Sequence, residues 1–188
     1  DMSGKCDSLH SNNKTQLTKM IGKPILWNNE NQMTGDVMHL IGNNKTQKLD
    51  SLKVLNNAFI IQKDSLSKNG YNQIKGQNLY GKFIDSKLKE VDVVKNAEVI
   101  YYMYNDANEF IGINKTVCSK INLELEANKI NSITFFTKTD SFIYPEADFP
   151  ENARKLRGFL WRGDERILSK DDIFPAEEIA LDDKIQIE

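Results

Sequence analysis

Asn31-Gln32-Met33-Thr34-Gly35-Asp36 returns as Asn72-Gln73-Ile74-Lys75-Gly76-Gln77, and this recurrence limits what the chain can fold into more than any other feature. A repeat of this length builds its architecture by stacking one small unit on the next, because no single unit can bury its apolar face alone. Downstream of each phrase a second pattern recurs. Leu49-x-x-Leu52-x-Val54 is matched by Leu88-x-x-Val91-x-Val93 and by Ile130-x-x-Ile133-x-Phe135, at intervals of 39 and 42 residues. Asn57-Ala58 and Asn96-Ala97 follow the first two copies, each leading into apolar residues. Residues 16–27 read as the end of an earlier copy, with Gly22-Lys23-Pro24-Ile25-Leu26 standing where Asn56-Asn57-Ala58-Phe59-Ile60 stands in the next. A further copy opens near Ile113-Asn114-Lys115-Thr116 without the full phrase, as terminal repeats of stacked architectures often do.

The apolar period inside each unit is two. Leu52 and Val54 share a face, as do Ala58 and Ile60, Val91 and Val93, and Ala97 and Val99. Alternation of this kind belongs to strands with one buried face. Turn-forming residues at Gly42-Asn43-Asn44, Asn56-Asn57, Lys68-Asn69-Gly70, Asp85-Ser86, Asn105-Asp106 and Ala127-Asn128 separate them into strands of about six residues. No segment before residue 145 carries a helical stripe. The expected fold is all-β: a repeat-built open jelly roll of stacked short antiparallel strands, whose alternate side chains line an interior trough. A propeller is disfavoured, since so few units do not close easily and the blade dipeptides are missing.

From about residue 145 the pattern changes. Pro145, Pro150 and Pro175 and all four arginines lie in this stretch. Residues 150–157 suggest a short helix with proline in its first turn, and Ser169-Lys170-Asp171-Asp172 resembles a capping box ahead of Ile173-Phe174. The division expected is a β domain over 1–144 and an irregular, partly helical cap or tail over 145–188.

Composition excludes more than it assigns. Lys plus Arg (25) and Asp plus Glu (27) give a net charge of −2, which offers no basic surface for nucleic acid. Cys6 and Cys118 are too few for a disulfide framework and lack CxxC spacing. No apolar run approaches the ~18 residues of a membrane-spanning helix. The chain opens at Asp1 within repeat-like text, as a mature product or a piece of a longer protein would. His10 and His39 have no partners at metal-ligand spacing, and no nucleophile elbow, phosphate loop or dinucleotide fingerprint occurs, so neither a metal, a cofactor nor an enzymatic activity is expected. The carboxylate pairs Asp171-Asp172, Glu177-Glu178 and Asp182-Asp183 sit among lysines and read as solvated surface. Gly35 and Gly76 recur with the repeat and so read as backbone geometry.

The ordered phrases Pro24-Ile25-Leu26-Trp27-Asn28, Gln32 to Asp36, Asn57-Ala58-Phe59, Gln73 to Gly76, Asn96-Ala97-Glu98, Gly112 to Lys115 and Arg157-Gly158-Phe159-x-Trp161-Arg162 resemble the OstA-like, or LptA-like, lipopolysaccharide-transport proteins of the periplasm. The resemblance runs from about residue 5 to 174. It implies an open β jelly roll that carries glycolipid by binding rather than catalysis, with Leu52, Val54, Ile60, Val91, Val93, Val99, Ile133 and Phe135 as the acyl-chain groove. Each buried methylene would contribute roughly 0.8 kcal/mol. It also implies a periplasmic location, lipopolysaccharide or a related glycolipid as ligand, and assembly with other envelope transport proteins, or end to end with itself, through edge strands.

The tail offers Arg154, Arg157, Arg162, Arg166 and Trp161 as a dock for an anionic head group or partner. The same residues also suit a plainer role, in which Leu156, Phe159, Leu160 and Trp161 pin the tail across the open end of the sheet while the arginines reach water. Two further readings of the whole chain stay open: a structural or adhesive β-repeat module with a closed, self-filled core, and a carbohydrate-active β-helix.

Overall fold

The structure is a computed structural model that describes residues 2–28, 30–67, 69–126, 129–169 and 171–173. Twelve strands form one antiparallel sheet: β1 (Met2–Lys5), β2 (Ser8–Asn12), β3 (Leu17–Ile21), β4 (Ile25–Asn28), β5 (Asn31–Thr34), β6 (Val37–Gly42), β7 (Leu49–Lys63), β8 (Tyr71–Ile84), β9 (Lys87–Tyr104), β10 (Phe110–Glu126), β11 (Lys129–Phe136) and β12 (Asp140–Tyr144). Four of these are far longer than expected, at 15, 14, 18 and 17 residues for β7 to β10.

They are long because each is bent rather than ended. Asn56 and Asn57 have φ of 57° and 51°, and Lys95 and Asn96 have 65° and 52°, so both strands carry two successive left-handed residues in mid-course. In β7 these two residues stand opposite the single Gln77 of β8, since the register steps from Leu55↔Asn78 to Ala58↔Gly76. Such a bulge bends the strand while pairing continues on both sides. Gly22-Lys23 (φ 77° and 45°) takes the same conformation between β3 and β4, as does Thr137-Lys138 (54° and 52°) between β11 and β12. Asn56-Asn57, expected to separate two short strands, instead bends one long strand at the corner. The two-residue reversal is at Asp85-Ser86, also left-handed, which joins β8 to β9.

The corners line up across the sheet and divide it into two leaves. In one leaf β1, β4, β5, the end of β7, the start of β8, the end of β9, the start of β10 and β12 are neighbours in that order. In the other the order is β2, β3, β6, the start of β7, the end of β8, the start of β9, the end of β10 and β11. We call them the first and second leaf. The chain is thus a meander folded once along its length, an open jelly roll. Among the described residues the sheet does not close on itself: β1 and β2 border one end, β11 and β12 the other.

Each phrase of the repeat has a fixed place in this plan. Asn31 and Asn72 begin passes that reach the corner at Gly35-Asp36 and at Gly76-Gln77. Asn114 occupies the same place in β10, because Thr116 pairs with Val99 just as Ile74 does. Neither Gly35 nor Gly76 has a positive φ, so their need is space. A Cβ on Gly35 would lie 2.3 Å from Cγ1 of Val54, and one on Gly76 2.6 Å from Cγ1 of Val93.

After Tyr144 the chain makes single 3-10 turns at Glu146–Asp148, Glu151–Ala153, Gly163–Glu165 and Asp171–Ile173. The first two follow Pro145 and Pro150 directly. The helix expected from residue 150 is one such turn. At the last, the Asp172 carboxylate accepts the N–H groups of Leu168 and Ser169 at 3.0 and 2.7 Å, the reach-back half of a capping box. Ala127-Asn128, Phe174, Pro175, Glu177-Glu178 and Asp182-Asp183 lie outside the described residues.

Candidate functional site: the interior rows and the strap

The inner faces of the leaves meet in one apolar cluster, which contains Leu52, Val54, Ile60, Val91, Val93 and Val99 with Ile133 and Phe135 packed against it. All eight sequence-derived groove residues therefore come together. Cross-strand register arranges them in rows. Met38, Val54, Leu79, Val93, Ile121 and Phe135 are successive partners across the second leaf, and Leu40, Leu52, Gly81, Val91, Leu123 and Ile133 form the row beside it. Leu26, Met33, Ile60, Ile74, Val99 and Thr116 form the facing row of the first leaf. Rows are continuous because the period-two pattern of each strand is held in step by the corners. The interior is filled by its own side chains: Leu52, Val54 and Val99 are 0 % exposed and Val91 and Val93 1 %. Its free thiol Cys118 has a pKa raised chiefly by burial.

The outer face of the first leaf is apolar too, and this was not foreseen. Phe59, Ile61, Ile100, Tyr102 and Ile113 form a second buried cluster, completed by Phe149 and Leu156 from the tail, with Phe159 and Trp161 against it. Residues 145–166 run across this face as a strap. Gln73, 1 % exposed, donates from Nε2 to the carbonyl of Arg154 (2.7 Å) and accepts the N–H of Leu156 at Oε1 (2.8 Å). Gln32, equally buried, does the same to the carbonyl of Leu160 and the N–H of Arg162, both at 2.7 Å. A glutamine amide pairs with two backbone groups in this way much as a neighbouring strand would, so the repeated Gln is a repeated clamp. In β10 the position is Lys115, and among the described residues no such clamp is made there.

The arginines divide. Arg154 Nε lies 2.9 Å from Glu151, and its Nη2 donates to the Glu146 carbonyl at 2.8 Å. Arg162 forms a two-pronged pair with Glu165, both bonds 2.7 Å, which holds the glutamate below the usual carboxylate range, with Lys5 adding to the effect. Arg166 reaches Glu30 at 3.7 Å. Trp161 packs on Tyr71 with ring centroids 5.5 Å apart. Leu160 is exposed. Arg157 alone of the four has no ion pair or side-chain hydrogen bond among the described residues. No cluster of metal-ligating side chains occurs among them.

Searches against protein-family models and the curated proteins find no match. Among solved structures, the sheet superposes on that of LptH, described as the LptA-homologous periplasmic component of the conserved lipopolysaccharide transport device of Pseudomonas aeruginosa. The TM-score is 0.57 at 15 % identity, over 77 % of this chain and 96 % of that one. The chain has an LptA-like fold. The likeness is one of architecture: in this chain the corners and rows build a strand meander folded over an apolar interior. The expectation of an open β jelly roll of that kind, drawn from short recurring phrases, is met at the level of architecture.

Proposed function

We propose that this protein is a non-enzymatic periplasmic lipid carrier, which holds the acyl chains of lipopolysaccharide or a related glycolipid between its leaves. The observation that carries the reading is the continuity of the interior rows, apolar from Met38 to Phe135, between leaves that, among the described residues, are hydrogen-bonded to each other only along the corner. Leaf-to-leaf contact is side-chain packing, so parting the leaves around an acyl chain exchanges one apolar contact for another at little net cost in exposed area. Leu52, Val54, Ile60, Val91, Val93, Val99, Ile133 and Phe135 are the lining. The exposed edges of β1 and β2, and of β11 and β12, are where a second copy or another envelope transport protein would continue the sheet. The periplasmic role of LptH supports the location and the class of cargo.

One observation favours a structural module instead: the interior is already filled. A benzophenone amino acid in place of Phe135, which borders the core without being fully buried, distinguishes the two. Light-induced attachment of lipopolysaccharide there, but not at the outward-facing Tyr80, is expected for a carrier. A folded protein that shows no attachment, and no bound lipid from whole envelope extract by native mass spectrometry, belongs to the structural class. In the second arm, changing Val54 and Val93 to Asp together removes binding, with folding checked by circular dichroism.

A further inference from the structure

A groove of about 760 Å³ lies outside the corner, where the strap stands off the sheet. The strap leaves this space because Leu156 to Phe159 is a tight turn, closed by the Phe159 N–H on the Leu156 carbonyl at 2.9 Å, with Gly158 at φ 95°. A Cβ on Gly158 would lie 3.9 Å from the Phe59 ring, so the turn rests over Phe59 at one end of the groove. Asn56, Gln77, Asn96 and Arg157 line it, all exposed and none making a side-chain hydrogen bond among the described residues. Asp36, held by Asn57 Nδ2 at 3.1 and 3.0 Å, and the Lys75–Glu98 pair at 2.8 Å supply the fixed polar wall.

Left-handed backbone accounts for asparagine at positions 56 and 96, but neither Gln77 nor Arg157 has a positive φ. Three free amides each offer donor and acceptor to neighbouring hydroxyl groups, and a free guanidinium beside them matches a carboxylate or phosphate in two-pronged fashion. Phe59, buried under the turn, presents no ring for stacking. We propose that this groove binds a saccharide bearing one anionic group, with its hydroxyls on Asn56, Gln77 and Asn96 and the anion on Arg157. The assignment is independent of the carrier reading, since it uses the outer surface and none of the interior rows.

The test is nitrogen-15 NMR titration of the full chain with acyl-free probes: a glucuronate-terminated trisaccharide, a phosphorylated hexose and neutral maltotriose. The acidic probes are expected to shift the side-chain amides of Asn56, Gln77 and Asn96, with affinity at least tenfold above maltotriose, and the stronger of the two identifies the anion. Arg157→Ala is expected to lower acidic-probe affinity about tenfold toward the neutral level, and Gln77→Ala, at a position without positive φ, to weaken all probes. Both residues are exposed, so both variants keep the parent spectrum elsewhere. No amide shift with any probe at 10-millimolar order, or shifts unchanged in Arg157→Ala, overturns the proposal. Lipid attachment at position 135 is unaffected in either case.

Discussion

Replacing Gln73 by Ala should release the strap at its centre. Gln73 is 1 % exposed, and its amide makes two bonds to strap backbone, at 2.7 and 2.8 Å. Each is worth about 0.5–1.5 kcal/mol net, and a buried backbone group left without a partner costs about 1–3 kcal/mol. Leu156 is itself 5 % exposed, so water reaches its orphaned N–H only if the strap lifts. Two orphaned groups together bring the expected loss to about 2–6 kcal/mol, or less where lifting restores hydration. Lifting in turn uncovers Phe59, Ile61 and Ile100. Hydrogen exchange read by mass spectrometry is the assay. Peptides covering 149–162 should exchange at least tenfold faster in Gln73→Ala, while those of the inner rows keep their protection. The urea midpoint should fall as well. Gln73→Glu should be worse than Ala, because a carboxylate cannot donate to the Arg154 carbonyl and is buried as a charge. Unchanged strap exchange in Gln73→Ala would refute the clamp and leave apolar packing as the sole attachment.

The corner glycines are tested by Gly35→Ala, whose new Cβ would lie 2.3 Å from Val54 Cγ1; a loss of about 1–3 kcal/mol in urea unfolding is expected, largely recovered by adding Val54→Ala. His39 pairs across strands with Lys19 and Lys53, and its pKa is lowered from 6.5 by burial and then by both lysines. The folded state therefore binds this proton more weakly than the unfolded state, so stability should fall as pH drops through 6.5 and level off below the folded value. His39→Gln should remove that part of the slope, and a slope identical to the parent's would exclude His39 as its source. Tyr104 donates to the buried Asp64 at 2.5 Å, and burial with this bond pushes its phenol pKa up. Tyr104→Phe should cost about 1.5–3 kcal/mol by thermal unfolding.

Much of the architecture was legible because alternation and recurrence are local properties of a strand. Val54, Val93 and Phe135 carry the same spacing in three units, and the structure sets them in one cross-strand row. What escaped depends on partners far along the chain. Asn56-Asn57 was read as a turn separating two short strands, because two left-handed residues make a reversal or a corner with the same local backbone; continued pairing with β8 decides between them. Gln32 and Gln73 were visible as a recurrence, but their partners lie in a tail with no repeat of its own. The arginines drew notice as a cluster, yet their free or engaged state rests on Glu30, Glu146, Glu151 and Glu165. The i,i+3 spacings of Glu151 with Arg154 and of Arg162 with Glu165 were the two such pairings that adjacency alone would have suggested.

Because every pass bends at the same line, one unit of the repeat is two passes, whatever its loops contain. Neighbouring strands stand 4.7–4.9 Å apart, so each unit lengthens the interior by roughly 10 Å without altering its width. An extended polypeptide advances about 1.2 Å per backbone bond, and at a similar rise roughly 8 methylene groups of an extended hydrocarbon chain span that distance. Cross-section and length are thus separate properties of this fold: the residues at the corner govern how far apart the leaves stand, and the number of units governs how long the interior between them is.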